Sequence, residues 1–213
     1  MAVDVLDQEF TTNWSSVVRP VWDNLIPRED PKKVLEIGSF EGASACYLIE
    51  KIGAKQPLEL HCIDTWEGGR EHQAGELFEA SMSDVERRFN RNVEIAQTRA
   101  TLPADLHIHK ATSDLALAQL IAAGKASYFD FIYVDGSHQD PDVLVDAVLS
   151  FKLLRVGGVL VFDDYLWNEV LPYGVDPIRS PKIAIDAFCN IFCRKVKIIP
   201  GGGVQLYARK TAE

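Results

Sequence analysis

Acidic side chains follow two short apolar runs of the sequence. Residues 129–134 lead into Asp135, and residues 158–162 lead into Asp163 and Asp164. If both runs are strands of one parallel sheet, their carboxyl ends meet at the same edge, and the three carboxylates lie close together. Clustered carboxylates repel one another and are costly to bury unless a cation neutralises them. The three acids are therefore predicted to bind a divalent metal ion, with Mg²⁺ as the first choice and Ca²⁺ or Mn²⁺ as alternatives.

A histidine closes the segment DGSH at residues 135–138. An imidazole with a pKa of about 6.5 can accept the proton of a hydroxyl group at neutral pH. A cation held by the acids would lower the pKa of the same hydroxyl group, so a histidine beside them is suited to take up its proton. Two simpler interpretations stay open. In the first, His138 is an exposed loop residue before a helix. In the second, Asp163 or Asp164 only binds backbone N–H groups of its own loop.

A glycine-containing turn follows an earlier apolar run, residues 34–37, and opens into a helical pattern. Its spacing is E-x-G-x-x-x-G, with Glu36, Gly38 and Gly42 at the fixed positions. Gly38 can adopt a positive φ and let a ligand approach the main chain, and Gly42 lets the helix start close to the sheet with its N–H groups facing the ligand. A nicotinamide-binding loop would have a second glycine where Phe40 stands. The simpler interpretation is an ordinary strand-to-helix turn.

Another acid ends the second strand pattern, residues 58–63. This residue, Asp64, lies 26 positions after Gly38, and an acid at this place accepts hydrogen bonds from ribose hydroxyl groups. The alternative is that Asp64 caps the turn that begins with Thr65. Together with the glycine loop, Asp64 favours an adenosine cofactor without a diphosphate. Ser39 and Thr65 are predicted to contact the cofactor beside them.

Alternating strand and helix patterns must position these residues. Apolar runs predict strands at residues 34–37, 58–63, 106–109, 129–134 and 158–162, and helical spacing predicts helices at residues 43–52, 84–96, 114–123 and 142–154. This alternation predicts a Rossmann-like, doubly wound α/β fold, with a mostly parallel sheet and helices on both faces. After a helix at residues 181–193, two runs flank a Pro-Gly-Gly-Gly turn, which predicts a C-terminal hairpin with an antiparallel strand.

The chain is predicted to have two parts. Residues 1–30 form an N-terminal helical lead-in, in which Pro20 bends or ends a short helix, and residues 27–33 form a polar connector. Residues 31–213 form one α/β domain. Two irregular segments of that domain, residues 66–82 and 165–180, contain aromatic side chains for an acceptor pocket or for packing under a loop: Trp66, Tyr165 and Trp167.

Composition narrows the classes of partner. The 213 residues contain 22 basic and 31 acidic side chains, a formal net charge of −9, which argues against nucleic-acid binding. No apolar run approaches the roughly 20 residues of a membrane-spanning helix, and the N-terminus lacks the features of a signal peptide. A cytoplasmic protein without a membrane partner is expected. A homo-oligomer is possible, with Trp14 and Trp22 of the lead-in as its contact.

Four segments together resemble one family: VLEIGSFEG, IDTWEGG, YVDGSH and LLRVGGVLVFDDY. They are similar to class I S-adenosylmethionine-dependent methyltransferases, and within them to the metal-dependent O-methyltransferases of small molecules. The most similar subgroup contains macrocin-type sugar O-methyltransferases and cephalosporin-biosynthesis methyltransferase-like proteins. The resemblance covers roughly residues 32–210.

The resemblance implies a role for each matching residue. The glycine loop would hold the methionine end of the cofactor, and Ser113 or Asp114 would contact its adenine. Asp135, Asp163 and Asp164 would bind Mg²⁺, and the histidine of the DGSH segment, His138, would be the general base. The resemblance thus makes His138 and Asp135 the predicted catalytic residues. In the subgroup the first acid of the pair is often glutamate, so Asp163 is one methylene shorter.

The predicted function is the transfer of a methyl group from S-adenosylmethionine to a hydroxyl oxygen of a small molecule, assisted by Mg²⁺. Methyl transfer is an in-line displacement, and a hydroxyl group is a poor nucleophile until its proton leaves, which the metal and the histidine would promote. Two alternatives use the same fold: an enzyme with other chemistry, such as a nicotinamide-dependent one, and a protein that binds an adenosine cofactor without turnover.

Overall fold

Seven strands form one sheet in the computed structural model, which describes residues 7–72, 79–169, 171–202 and 204–213. The strands are β1 (Lys33–Ile37), β2 (Leu58–Asp64), β3 (Ala104–Lys110), β4 (Phe129–Val134), β5 (Leu154–Phe162), β6 (Val196–Ile198) and β7 (Leu206–Lys210). Their order across the sheet is β3-β2-β1-β4-β5-β7-β6. β1 to β5 are parallel, whereas β7 runs antiparallel to both β5 and β6. The predicted doubly wound sheet and its C-terminal hairpin are confirmed.

Helices cover both faces of this sheet. They are α1 (Arg19–Glu29), α2 (Ala43–Gly53), α3 (Met82–Arg99), α4 (Ser113–Ala122), α5 (Asp140–Leu153) and α6 (Lys182–Ile191). Successive strand residues point to opposite faces, so Val34 packs in the core with α1, α2 and α3, and Leu35 packs in the core with α4, α5 and α6. Strands covered on both sides are nearly continuous apolar runs, as β4 is apart from Asp130 near its start. Within the described ranges, no helix is long and apolar enough to cross a membrane.

The strand order reverses at β1. The chain passes from β1 to β2 and β3 on one side and then returns to form β4 on the other side of β1. Ile37, the last residue of β1, is paired with Ile63 of β2 and with Val134 of β4. The loops that follow these strands therefore leave from one edge. Ligands of open α/β sheets bind in the crevice at such a switch point.

The structure of the lead-in differs from three of the predictions made from the sequence. Pro20 lies in the first turn of α1 and starts this helix, because the first turn needs no N–H donor from that position. α1 then continues through Pro27 to Glu29, so the polar connector is shorter than predicted. Trp22 is 1% exposed, and its Nε1 donates to Gln205 Oε1 at 2.9 Å. Trp22 is therefore part of the core and unavailable for a dimer contact.

Candidate functional site

A cavity of about 800 Å³ lies at the carboxyl edge of the parallel strands. It brings together most of the site residues that the sequence predicts, which are Gly38, Ser39, Asp64, Thr65, Ser113, Asp114, Asp135, His138, Asp163 and Asp164. Glu36 and Gly42 belong to the same glycine segment but do not line the cavity. Residues of the lead-in and of the loops that follow β1 to β5 line the same cavity, which matches the crevice expected at the switch point.

The glycine loop is packed against the loop that follows β4. Gly38 has a φ of +82°, and a Cβ there would stand 1.9 Å from the Asp135 carbonyl oxygen. The Asp135 N–H donates to the Ile37 carbonyl oxygen at 2.8 Å. Gly38 is thus needed for the approach of this neighbouring backbone. Gly42, with a φ of +81°, has the Phe89 ring 3.0 Å from the place of its missing Cβ, so it allows α2 to approach α3.

Glu36 stabilises the glycine loop from behind. Its buried carboxylate accepts hydrogen bonds from Ser39 Oγ at 2.6 Å and from Ser44 Oγ at 2.5 Å. Burial raises the pKa of Glu36, while the two hydroxyl groups oppose that rise. Ser39 and Ser44 line the cavity, whereas Glu36 does not. The effect of Glu36 on a bound ligand is therefore exerted through the loop that it holds.

Asp64 faces the cavity and also closes its own turn. Oδ2 accepts hydrogen bonds from the N–H groups of Ser39 and Phe40, both at 2.9 Å, and Oδ1 accepts one from the Trp66 N–H at 2.7 Å. Both interpretations of Asp64 therefore agree with its position. A carboxylate oxygen has two lone pairs, so Oδ1 can accept a second hydrogen bond from a hydroxyl group in the cavity.

The three acids predicted to bind metal meet around a tyrosine that the sequence analysis missed. Tyr133 OH lies 2.9 Å from Asp135 Oδ2 and also contacts Asp163 Oδ2. Burial and the neighbouring Asp163 raise the pKa of Asp135, and burial and Asp164 raise the pKa of Asp163. A hydroxyl group donates only one hydrogen bond, so Tyr133 cannot satisfy both carboxyl groups at once. The donor set fits a hard divalent cation, which would neutralise this cluster.

The spacing of Tyr133 and Asp135 in the sequence could have indicated this contact. It precedes Asp135 by two positions, and side chains two apart on a strand point to the same face. A tyrosine at this spacing from a strand-end acid is placed to contact it.

His138 lies in the same cluster. Its Nε2 is 2.9 Å from Asp164 Oδ2, and its ring stacks on Trp167 with 4.2 Å between ring centroids. Asp164 has a φ of +52°, and its carbonyl oxygen accepts the Trp167 N–H at 2.8 Å. The loop after β5 thus places both partners over the imidazole. The interpretation of His138 as an exposed loop residue is wrong, because its side chain is only 16% exposed.

The lead-in forms one wall of the cavity. Trp14 lies 5.4 Å from the Phe40 ring between centroids, and both line the cavity. Glu41 holds this segment in place, because it accepts hydrogen bonds from the Thr11 N–H at 2.6 Å and from Arg88 Nε at 2.6 Å. These contacts join residues 30 and 47 positions apart, and local patterns do not reveal them.

The aromatic side chains of the irregular segments divide between the cavity and the core. Trp167 lines the cavity, whereas Trp66 is 5% exposed and packs against Phe89. Tyr165 OH bonds Asp186 Oδ1 at 2.8 Å and is outside the cavity lining. His72 is on the cavity wall, and residues 73–78 of the first segment lie outside the described residues.

A second titratable group on the wall, Asp146, was also missed. It lies on α5, 1% exposed, among the apolar side chains that face the sheet, such as Val143 and Ala147. An acid within the apolar stripe of a helix is the only sequence signal for it. Burial raises the pKa of Asp146 to about 7, and the charges of Asp142 and Asp114 add to this rise.

Another group of possible ligands lies away from the cavity. Glu59, His61 and His107 stand on β2 and β3, with their ligand atoms within 4.8 Å of one another. Glu59 Oε1 is already 2.9 Å from both His61 Nε2 and Lys125 Nζ. The charge of Glu59 is thus balanced by the protein itself, and the cluster is a hydrogen-bonded network on the sheet.

Comparison with known proteins gives a family match. The family model described as a methyltransferase domain matches residues 35–165, which is more than half of the chain. An uncharacterized protein of Acanthamoeba polyphaga mimivirus, R132, is 27% identical over 150 residues, which cover 68% of this chain and 58% of that protein. A probable caffeoyl-CoA O-methyltransferase of Dictyostelium discoideum is 34% identical over 80 residues, covering 38% of this chain and 31% of that protein. The matches thus span less than two thirds of these relatives.

Solved structures share the fold. The O-methyltransferase from Bacillus cereus, in complex with SAH, has a TM-score of 0.59 and 16% identity, with 97% of this chain and 85% of that chain covered. The O-methyltransferase TomG from Streptomyces achromogenes, in complex with SAM, has a TM-score of 0.58 and 20% identity, with 88% and 77% covered. At these identities the likeness concerns the fold.

Proposed function

Since this chain belongs to the methyltransferase-domain family, we propose that it transfers a methyl group from S-adenosylmethionine to a hydroxyl oxygen of a small molecule, assisted by a divalent cation. One observation carries the proposal. A single cavity of about 800 Å³ is lined at one place by the glycine loop and Asp64, and at another by the acids and His138. Its volume is in the range of small-molecule sites.

The cofactor would occupy the part of the cavity formed by the glycine loop. Asp64 Oδ1 would accept a ribose hydroxyl group, with Thr65 beside it, and the loop at Ser39 would hold the methionine end. Asp64 fixes the backbone of Ser39 and Phe40 at 2.9 Å, so this part of the site is organised before the cofactor arrives. A fixed cofactor favours transfer, because in-line displacement needs the methyl group, the sulfur and the nucleophile to be aligned.

His138 would accept the proton of the acceptor hydroxyl group. Asp164 Oδ2, 2.9 Å from His138 Nε2, stabilises the imidazolium ion that forms, and the Trp167 ring fixes the imidazole plane. Asp135, Asp163 and Asp164 would hold the divalent cation, for which Mg²⁺ is the best match to a set of oxygen ligands. When bound, such a cation supplies positive charge that lowers the pKa of the acceptor hydroxyl.

The domain organisation and the cellular location are also part of the proposal. The lead-in, residues 1–30, precedes a methyltransferase domain at residues 31–213, and it contributes Trp14 to the cavity wall beside Phe40. We propose a cytoplasmic location because the four cysteines are free, which is typical of reducing compartments.

Calorimetric titration with S-adenosylhomocysteine tests the cofactor site. The wild-type chain should bind, and Asp64→Ala should lose most of the affinity, since both the ribose contact and the loop backbone bonds are removed. Asp105→Ala, an exposed acid on β3, is the matched control and should bind as the wild type does. Absence of binding to the wild type, or unchanged affinity in Asp64→Ala, would contradict the proposal. Binding of NADH in its place would favour the nicotinamide alternative.

Activity on a panel of small hydroxylated acceptors tests the chemistry. Transfer should stop in EDTA and return with Mg²⁺. Full turnover in the chelator would remove the metal from the proposal, and cofactor binding without transfer to any acceptor would favour the protein that binds without turnover.

A further inference from the structure

The side-chain amide of Gln205 lies beside the cluster of acids, in the segment that leads into β7. We propose that Gln205 is a positioning residue of the metal site: its amide NH₂ group donates a hydrogen bond to the Asp163 carboxylate and holds it in place as a ligand of the divalent cation. This inference rests on the proposed function, because it requires a cation at the acids. All the site residues predicted from the sequence precede Tyr165, so Gln205 adds a residue from the end of the chain.

The pairing of β5 with β7 places Gln205 opposite Asp163. The last pair of this antiparallel register is Phe162 with Leu206, and the next pair along is Asp163 with Gln205. Phe162 and Leu206 pack in the core with α4, α5 and α6, so their neighbours Asp163 and Gln205 both point to the opposite face of the sheet. Opposite side chains of an antiparallel pair have Cβ atoms about 4.5–5.5 Å apart, which an amide on two methylene groups can span.

Hydrogen bonds on the far side of the amide fix its orientation. Trp22 Nε1, which can only donate, lies 2.9 Å from Gln205 Oε1, and Tyr207 OH donates to the same oxygen. A reversed amide would put its NH₂ group against the indole N–H, with two donors facing each other and no acceptor between them. The amide oxygen is therefore bound on the side of Trp22, and Nε2 is the atom left for Asp163.

The NH₂ group of Gln205 lacks an acceptor. Gln205 is 7% exposed, and Nε2 has no hydrogen-bond partner among the described residues. Burial and Asp164 raise the pKa of Asp163, and Gln205 opposes this rise, so the amide lies close to the carboxylate although the contact does not meet the geometry of a hydrogen bond. A buried amide donor without a partner is costly, and a small shift of either side chain would complete the bond.

This bond would prepare Asp163 for a cation. Asp163 Oδ1 accepts the Asp164 N–H at 2.8 Å, and Oδ2 contacts Tyr133 OH. Carboxylates that bind a metal are usually hydrogen-bonded in turn, and these outer bonds orient the ligand. An amide donor favours the ionised carboxylate, which is the form that a cation needs, and it carries no positive charge that would repel the cation. Through Trp22, the same amide joins α1 of the lead-in to the metal site.

Gln205→Met tests this role with little change of volume. Mn²⁺, which takes the same oxygen ligands as Mg²⁺, serves as the probe, and its free concentration is measured by electron paramagnetic resonance in the presence of S-adenosylhomocysteine. We expect Gln205→Met to weaken Mn²⁺ binding about 10- to 100-fold, the usual range for the loss of a residue that supports a metal ligand. Calorimetric titration should give an unchanged affinity for S-adenosylhomocysteine.

Tyr207→Phe is the matched control. It removes a hydrogen bond to the same amide but leaves Nε2 and the bond from Trp22. It should lower the melting temperature and keep the Mn²⁺ affinity of the wild type. Nuclear magnetic resonance of the wild type adds a test that needs no variant: a side-chain NH₂ proton of Gln205 should move downfield when Mg²⁺ is added, and an unchanged resonance would refute the bond.

The outcomes separate this inference from the proposed function. If the wild type binds Mn²⁺ and Gln205→Met binds it equally well, the role of Gln205 is refuted and the proposed function stands. Equal weakening in Gln205→Met and Tyr207→Phe would assign the loss to disturbed packing, which also refutes the role. If the wild type binds S-adenosylhomocysteine but no Mn²⁺, the metal part of the proposed function fails, and the inference fails with it.

Discussion

Replacing Gly38 by alanine should damage both the fold and the cavity. Gly38 has a φ of +82°, and an added Cβ would stand 1.9 Å from the Asp135 carbonyl oxygen. The left-handed backbone costs alanine about 1–2 kcal/mol, and extra atoms in a packed contact cost about 1–3 kcal/mol more. We expect Gly38→Ala to lower the free energy of unfolding by about 2–5 kcal/mol in urea denaturation.

Gly124→Ala is the matched control. Gly124 also has a φ of +82°, but among the described residues no atom beyond its chain neighbours lies within 4 Å of the place of its Cβ. Its replacement should cost only the backbone part, about 1–2 kcal/mol. The clash at Gly38 can be relieved only by a shift of the Asp135 backbone, so Gly38→Ala should also weaken S-adenosylhomocysteine binding, whereas Gly124→Ala should not. Equal losses of stability, together with unchanged affinities, would refute the packing of the Asp135 loop on the glycine loop.

Three other predictions concern the cavity wall. The folded state raises the pKa of Asp146 to about 7 from an ordinary value of 3.8, so the stability from its retained proton is present at low pH and is lost as pH rises through 7. Urea denaturation should find Asp146→Asn equal to the wild type near pH 4 and more stable by about 3–5 kcal/mol at about pH 8.5; a pH-independent difference would contradict this. Trp167→Ala should lower turnover about tenfold without changing cofactor affinity, because the ring that fixes His138 is lost. The neighbouring Leu166 is 56% exposed, and Leu166→Ala should leave both turnover and cofactor affinity unchanged. Tyr133→Phe removes the hydroxyl group between Asp135 and Asp163 and should lower the free energy of unfolding by about 1–3 kcal/mol. Addition of Mg²⁺ should raise the melting temperature of this variant more than that of the wild type. An equal rise would show that the tyrosine is not part of the metal site.

The sequence predicts elements best where a local pattern decides them. The predicted bounds of β4, residues 129–134, equal the observed ones, because a strand covered on both faces is a nearly continuous apolar run, interrupted here only by Asp130. β5 begins four residues earlier than predicted, since Gly157 and Gly158 interrupt its apolar pattern. α1 passes through Pro27 because Trp22, Leu25 and Ile26 are buried, and tertiary packing outweighs the local preference of proline.

The site was predictable to the extent that fold topology places it. Strand-end acids meet because parallel strands share an edge, and this rule brought Asp135, Asp163 and Asp164 together with Asp64 around one cavity. The same rule gives no information on helix side chains that line the cavity, such as Asp146 of α5. It is equally silent on the lead-in, which reaches the cavity only through long-range contacts.

The hydrogen bonds that hold the glycine loop are separate from the loop after β5. Asp64 and Glu36 bond the glycine loop, and the Asp135 N–H bonds the end of β1 at 2.8 Å. Trp167, which stacks on His138, takes no part in these bonds, whereas the lead-in is joined to the glycine loop by the bond from Thr11 to Glu41. Because the loop after β5 is separate from the contacts of the glycine loop, substitutions in it can change the acceptor without loosening the cofactor. A chimera that exchanges residues 165–169 should therefore change acceptor preference and keep S-adenosylhomocysteine affinity, and a parallel loss of both would show that the two sites are coupled.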